Sequence, residues 1–482
     1  MSEGLNYIGG EWVAGEGVVE NRSPSDPDDV VGIYAQASLG HLHEAVAAAR
    51  QAQGRWAATG LEARASVLDA IGREAMARSQ ELGRLLSREE GKPLAEGVGE
   101  VYRSGQFFSY FAGEVLRVLG QAADSVRAGV EVMITREALG VVGIISPWNF
   151  PMATAAWKIA PALAFGNAVV WKPANITPSS AWALSEIISR QAIPKGVFNL
   201  VMGPGGTLGH ALAAEADVQG ISFTGSCATG RDIAAAAAPR LVKLQLEMGS
   251  KNPLVIMDDA DLDRAVDIAI SGAFGGTGQK CTASSRLIVH RPILDVFVER
   301  FVARANSLKV GHALADGTQM GPVVSAAQLA IDLAYVSLAR QEGCTIACGG
   351  DRIEDTGSGF YMGPTVLTQT HNAMRVNQEE MFGPIVSVIP ADSLEEAIAI
   401  ANDTRFGLTA GIATRSLARA TRFRRASRSG CVMVNLPTAG TDYHVPFGGT
   451  RASSYGPREQ GRCAIEFYTQ VKTSYIHPGE AA

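Results

Sequence analysis

Gly140-Val-Val-Gly-Ile-Ile-Ser146 is apolar on alternate and intervening positions alike, and Asn167-Ala-Val-Val-Trp-Lys172 repeats that pattern after a helical stretch over 155–163. A strand without a polar face is buried on both sides, which requires a parallel sheet covered by helices. Working outward, 179–192 reads as helix, Val197-Phe-Asn-Leu-Val201 as strand, 207–216 as helix and Gly220-Ile-Ser-Phe-Thr224 as strand. Such repeated units predict a doubly wound α/β sheet. A second α/β series follows Glu247, with strands at 252–257, 385–389 and 432–434 and helices at 261–273 and 393–402. Upstream, 7–13 reads as a hairpin, 21–27 as a turn-rich link and 43–120 as amphipathic helix. The stretch 467–476 is strand-like. Left unpaired it would be an aggregation hazard, so it is expected to pair with a strand at 130–134 or with another subunit, which predicts a homodimer or homotetramer.

The chain has 482 residues, more than one hydrophobic core supports, and roughly three domain-sized units fit. Its net charge of −6 has no basic block, which argues against nucleic acid as a partner. The one basic run, 421–428, is spaced for the solvated face of a helix. The N-terminus has neither a basic nor an apolar leader region, and the uncharged interval between Glu137 and Lys158 is broken by Gly140, Pro147 and Pro151, so no membrane span is expected. Six cysteines without framework spacing suit a reducing, cytoplasmic compartment. Cys344 and Cys348 have no further ligands nearby and read as strand residues, so no metal is expected.

Two motifs carry chemistry. Phe274-Gly-Gly-Thr-Gly-Gln-Lys-Cys281 sets a thiol behind small residues that let ligands approach the backbone. Leu246-Glu247-Met248-Gly249 sets a carboxylate among apolar neighbours, where desolvation raises its pKa toward that of a general base. Two glycine turns, Gly203-Pro-Gly-Gly-Thr-Leu-Gly209 and Phe223-Thr-Gly-Ser226, each follow a strand and open a helix, whose free amides suit a pyrophosphate. Lys172 ends its strand at the edge where open α/β sheets bind ligands.

Together with Pro147-Trp148-Asn149-Phe150-Pro151, Glu380-Met-Phe-Gly-Pro384 and Pro446-Phe-Gly-Gly449, these motifs resemble the aldehyde dehydrogenase superfamily in order and spacing over nearly the whole chain. The resemblance implies a Rossmann-like cofactor domain (1–117 and 139–249), an α/β catalytic domain (250–452) and a small β oligomerisation flap (118–138 and 467–482). It implies Cys281 as nucleophile, Glu247 as the base for the deacylating water, Asn149 as oxyanion donor and Lys172 as a ribose contact. It places NAD or NADP against Ile145, Trp148, Lys172, Ala174, Asn175, Gly205, Gly209, Phe223, Gly225, Ser226, Met248, Glu380 and Phe382. The chemistry is thiolate addition to an aldehyde, hydride loss from the tetrahedral adduct and hydrolysis of a thioester.

The segments 435–449 and 453–461 resemble those of α-ketoglutaric semialdehyde (2,5-dioxopentanoate) dehydrogenases, which implies oxidation of 2,5-dioxopentanoate to 2-oxoglutarate; succinate semialdehyde or a broader aldehyde range is the alternative. Trp157 stands where succinate-semialdehyde dehydrogenases usually carry an arginine for the substrate carboxylate. Arg103, Gln106, Trp157, Thr438 and Phe447 are therefore the candidate substrate contacts. Asn175 replaces a glutamate frequent in NAD-preferring relatives, which permits NADP. Glu247 argues against a CoA-acylating enzyme, and the intact set of Cys281, Glu247 and Asn149 argues against a catalytically silent binding protein with this fold.

Overall fold

The computed structural model describes residues 3–354 and 356–479; Met1, Ser2, Asp355 and 480–482, which fall within the three expected domain ranges, lie outside the described residues. Among the described residues two large sheets carry the fold. The first runs in the order Ser454–Tyr455, Lys243–Glu247, Gly220–Thr224, Val141–Ile145, Ala168–Lys172, Phe198–Leu200, Asn6–Ile8 and Glu11–Val13. Its five central strands are parallel, and antiparallel pairs close both ends. Val141–Ile145 and Ala168–Lys172 are buried along their whole length, as expected for strands covered on both faces.

The second sheet runs Thr345–Cys348, Thr365–Thr368, Ile385–Ala391, Ser284–His290, Asn252–Ile256, Thr409–Ala413 and Cys431–Val434, parallel except at the Thr345–Cys348 edge. Leu262–Phe274 packs on it, capped by Asp261, whose side chain accepts the Arg264 N–H. Beyond both sheets Thr469–Ile476 pairs antiparallel with Glu131–Ala138, which also pairs with Gln121–Asp124. The tail strand thus finds the partner expected near 130–134, in a ladder that continues to Ala138.

The 43–120 helical region resolves into Leu39–Ala57, Leu61–Ala77, Ser79–Glu90 and Leu94–Glu114. The 421–428 run lies partly on the helix Leu417–Ala426, with Phe423 buried and the arginines outward. One local expectation fails. The link at 21–27 is a tight turn between two long paired strands, Gly17–Ser23 and Asp26–Gln36. Only Pro24 and Ser25 form the bend, and Pro27 lies inside the second strand.

Residues 453–466, outside all three expected domain ranges, bring Ser454–Tyr455 onto the edge of the first sheet beside Glu247.

Candidate active site

One cavity of about 720 Å³ lies where the C-terminal ends of the first sheet face the second. Every expected catalytic and cofactor residue lines it, from Ile145, Trp148, Asn149, Lys172, Ala174 and Asn175 through Gly205, Gly209, Phe223, Gly225 and Ser226 to Glu247, Met248, Cys281, Glu380 and Phe382. These side chains converge because the parallel strands all end at one edge.

Cys281 follows a turn in which Gly276, Thr277 and Gly278 all have positive φ, between 58° and 68°. Two glycines bear that backbone freely; Thr277 is held in it by a bond from Oγ1 to the Gly321 carbonyl, 3.2 Å. Burial pushes the half-buried Cys281 thiol well up, and the carboxylates of Glu380 and Glu247 add to this.

Asn149 sits in the loop after Val141–Ile145. Its Nδ2 donates to the Gln279 carbonyl at 2.8 Å, which ties it to the Cys281 loop, and the second amide hydrogen remains for a ligand. Glu247 ends the strand Lys243–Glu247 and is buried. Burial first, then the neighbouring Glu459 carboxylate, holds its pKa well above the usual carboxylate range, against the Ser454 hydroxyl that donates to Oε2 at 2.5 Å. Glu459 is itself paired with buried Lys158, which also donates to Ser222 Oγ at 2.9 Å. Gly448 lies against Glu247 Oε1. A carboxyl whose pKa is raised in this way is a stronger base, once ionised, than an ordinary carboxylate.

The cofactor half fits a dinucleotide on three observations. Lys172 is buried and burial lowers it to about 8; a β-carbon at Gly205 would come within 3.3 Å of its ammonium. Asn175 Oδ1 is buried without a hydrogen-bond partner. Ser226 caps the helix Cys227–Ala237, its hydroxyl accepting the Thr229 N–H, and directs that N-terminus at the cavity. Glu380, raised by burial to about 7, accepts the Ser250 N–H at 2.7 Å and leans over Gly249. Trp148 meets the Phe382 ring edge-on at 5.5 Å. Among the described residues no cluster of His, Cys, Asp and Glu could hold a metal, and no helix is long and apolar enough to cross a membrane.

The substrate candidates divide. Trp157 and Phe447 line the cavity, with ring centroids 5.8 Å apart. Arg103, Gln106 and Thr438 do not. Thr438 is corrected outright: it is fully buried, and its hydroxyl is committed to the Thr282 carbonyl and Ser284 Oγ, each at 2.7 Å. It supports the strand that follows Cys281. Arg103 lies over the Tyr443 ring at 5.4 Å, and Tyr443 continues through Phe107 to Trp157. Sequence reasoning missed Thr154, Thr229, Asp232, Ile233, Gln328 and Leu408 in the lining. Thr229, Asp232 and Ile233 recur at helical spacing from Ser226 and were legible in principle.

The sequence profile described as "Aldehyde dehydrogenase family" matches residues 12–474. The chain is 40% identical to the alpha-ketoglutaric semialdehyde dehydrogenase of Bacillus subtilis (strain 168) over 479 residues, 98% of each chain. It is 39% identical to the alpha-ketoglutarate semialdehyde dehydrogenase of Haloferax volcanii over 477 residues, again 98% of each. Among solved structures, betaine aldehyde dehydrogenase from Staphylococcus aureus in complex with NAD+ superposes with a TM-score of 0.96 at 34% identity, covering 99% of this chain and 96% of that one.

Proposed function

Since this chain belongs to the aldehyde dehydrogenase family, we propose that its cavity oxidises an acidic semialdehyde to the carboxylate, foremost 2,5-dioxopentanoate to 2-oxoglutarate, with NAD or NADP as oxidant. The observation that carries the reaction class is the meeting of Cys281, Asn149 and Glu247 in one cavity with a dinucleotide-shaped extension. The Cys281 sulfur adds to the aldehyde carbon once its proton is lost. The Asn149 amide and the Cys281 backbone N–H then receive the oxyanion; losing one such donor costs on the order of a hundredfold in rate. Bound nicotinamide supplies the hydride acceptor. Glu247, ionised, takes a proton from the water that cleaves the resulting thioester, and Lys158 and Glu459 hold charge behind it. Lys172 and Glu380 are read as the ribose contacts, and Ser226 as the pyrophosphate contact.

The acidic substrate is supported by the two semialdehyde dehydrogenases to which the chain is similar, and by Arg103, which has no carboxylate within ion-pair range among the described residues and stands at the outer end of the aromatic series. A second reading rests on Trp157 and Phe447: an aromatic wall also suits a quaternary ammonium aldehyde through cation–π contact. The positive charge of Arg103 opposes that cation. A kcat/KM panel of 2,5-dioxopentanoate, succinate semialdehyde and betaine aldehyde, with NAD and with NADP, read at 340 nm, decides. 2,5-Dioxopentanoate is expected to lead; a lead for betaine aldehyde would overturn the substrate assignment, and turnover that required CoA would overturn hydrolysis by Glu247.

A further inference from the structure

The helix Leu94–Glu114 touches both halves of the oxyanion site through carboxylates that line no part of the cavity. Glu100 is buried. Its Oε1 accepts the backbone N–H groups of Met152 and Ala153, at 3.0 and 3.1 Å. Those amides begin the helix Ala153–Ala164, which no side chain of its own caps. Its Oε2 pairs at 2.7 Å with buried Lys92, which donates at 2.6 Å to the Asn149 carbonyl and lies 4.2 Å from the centre of the Phe150 ring. Glu100 and Lys92 thus hold the loop of Asn149 from its carbonyl on one side and from the helix start on the other.

Glu96 lies one turn earlier on the same helix. Its Oε1 accepts the Gly276 N–H at 3.0 Å, and its Oε2 lies 3.3 Å from Lys280 Nζ. Gly276 opens the positive-φ turn, and Lys280 directly precedes the nucleophile. Residues i and i+4 share a helix face, so the spacing between these two carboxylates is fixed by helix geometry. Among the described residues, the Asn149 bond to the Gln279 carbonyl is the only direct side-chain hydrogen bond between the two loops.

We infer that Glu96 and Glu100 are positioning residues that set the Asn149 amide and the Cys281 backbone N–H at one fixed separation, so that an oxyanion meets both donors at once. The inference rests on the reading of those two groups as oxyanion donors. Donor placement matters steeply: a displacement of about 1 Å can cost about a hundredfold.

The test uses the full-length enzyme with Glu96→Gln, Glu100→Gln, Lys92→Met and the Lys92→Met/Glu100→Gln double variant. Three rates are compared: aldehyde oxidation, hydrolysis of 4-nitrophenyl acetate, and alkylation of Cys281 by iodoacetamide. The first two build an oxyanion on a carbonyl carbon; alkylation displaces iodide at a saturated carbon and builds none. Both carbonyl reactions are expected to fall by about tenfold or more in kcat, with the cofactor KM unchanged and alkylation within about twofold of the parent. The double variant is expected to lose no more than the worse single one, because both changes break one link. Equal loss in all three rates, or carbonyl rates that stay within about twofold, would overturn the inference. If the buried pair is needed for folding, Glu96→Gln, at a partly exposed ion pair, decides alone. Asn149→Ala separates the two levels: full carbonyl rates in that variant sink the oxyanion reading itself, whereas loss there with parent-like Glu96→Gln and Glu100→Gln sinks only the positioning role.

Discussion

At Gly249 a β-carbon would overlap Glu380 Oε2, so the carboxylate that leans into the cofactor half depends on a residue with no side chain. Gly249→Ala is expected to push Glu380 aside and raise the cofactor KM on the order of tenfold, the worth of one charged hydrogen bond, while iodoacetamide still alkylates Cys281 at the parent rate. Cofactor titration of the variant checks this; an unchanged KM would remove Glu380 from the cofactor's contacts. Glu247 gives the pH prediction. Its pKa is raised above the ordinary carboxylate range, so the ionised fraction that the proposed base requires grows as pH rises beyond that range. Steady-state turnover is expected to climb over that window. Glu247→Gln should leave a pre-steady-state burst of reduced cofactor followed by slow, pH-flat turnover; a burst reduced in step with turnover would move Glu247 to the acylation step. The residues legible in the sequence were those in short fixed motifs, such as Cys281 behind its glycines. Ser454, Lys158 and Glu459, which surround Glu247, were not, because only the folded chain brings them together.

Elements were legible where burial and period agreed. The parallel strands have no polar face, and the helices 261–273 and 393–402 begin at capping side chains, Asp261 and Ser393. The helix Ala326–Gln341 went unread although Ser325 caps it, because apolar residues fall around it rather than on one stripe; Ile331 is half exposed while Val336 is buried. That gap hid Gln328, which donates to the Met381 carbonyl and steadies the loop carrying Phe382. Gly278 belongs to this scale too, since a β-carbon there would overlap the Gly383 carbonyl of that same loop. The turn before Cys281 and the loop carrying Phe382 are packed backbone to backbone, which explains why small residues recur in both.

At the scale of the whole molecule, the three-stranded flap combines exposed apolar side chains with an open strand edge. Met133, Val471, Tyr475 and Ile476 are all exposed there, and Thr469–Ile476 is paired along one edge only. An unprotected edge of this kind calls for a partner strand, and a second copy of the chain is the one always present. Sedimentation velocity is expected to give a species of at least twice 50.6 kDa, and Val471→Lys with Tyr475→Lys to lower it; a parent enzyme that sediments as a monomer would leave the flap without that role. The connection of Ser454–Tyr455 to the first sheet has a different consequence, in the order of synthesis. The ribosome delivers Asn149, Glu247 and Cys281 long before residues 454–459, yet the hydroxyl on Glu247, the counter-charge of Lys158 and the edge strand beside them come from that late segment. A nascent chain therefore carries Cys281 and Glu247 before the groups that surround Glu247 have been made, and that environment is complete only once residues 454–459 have docked.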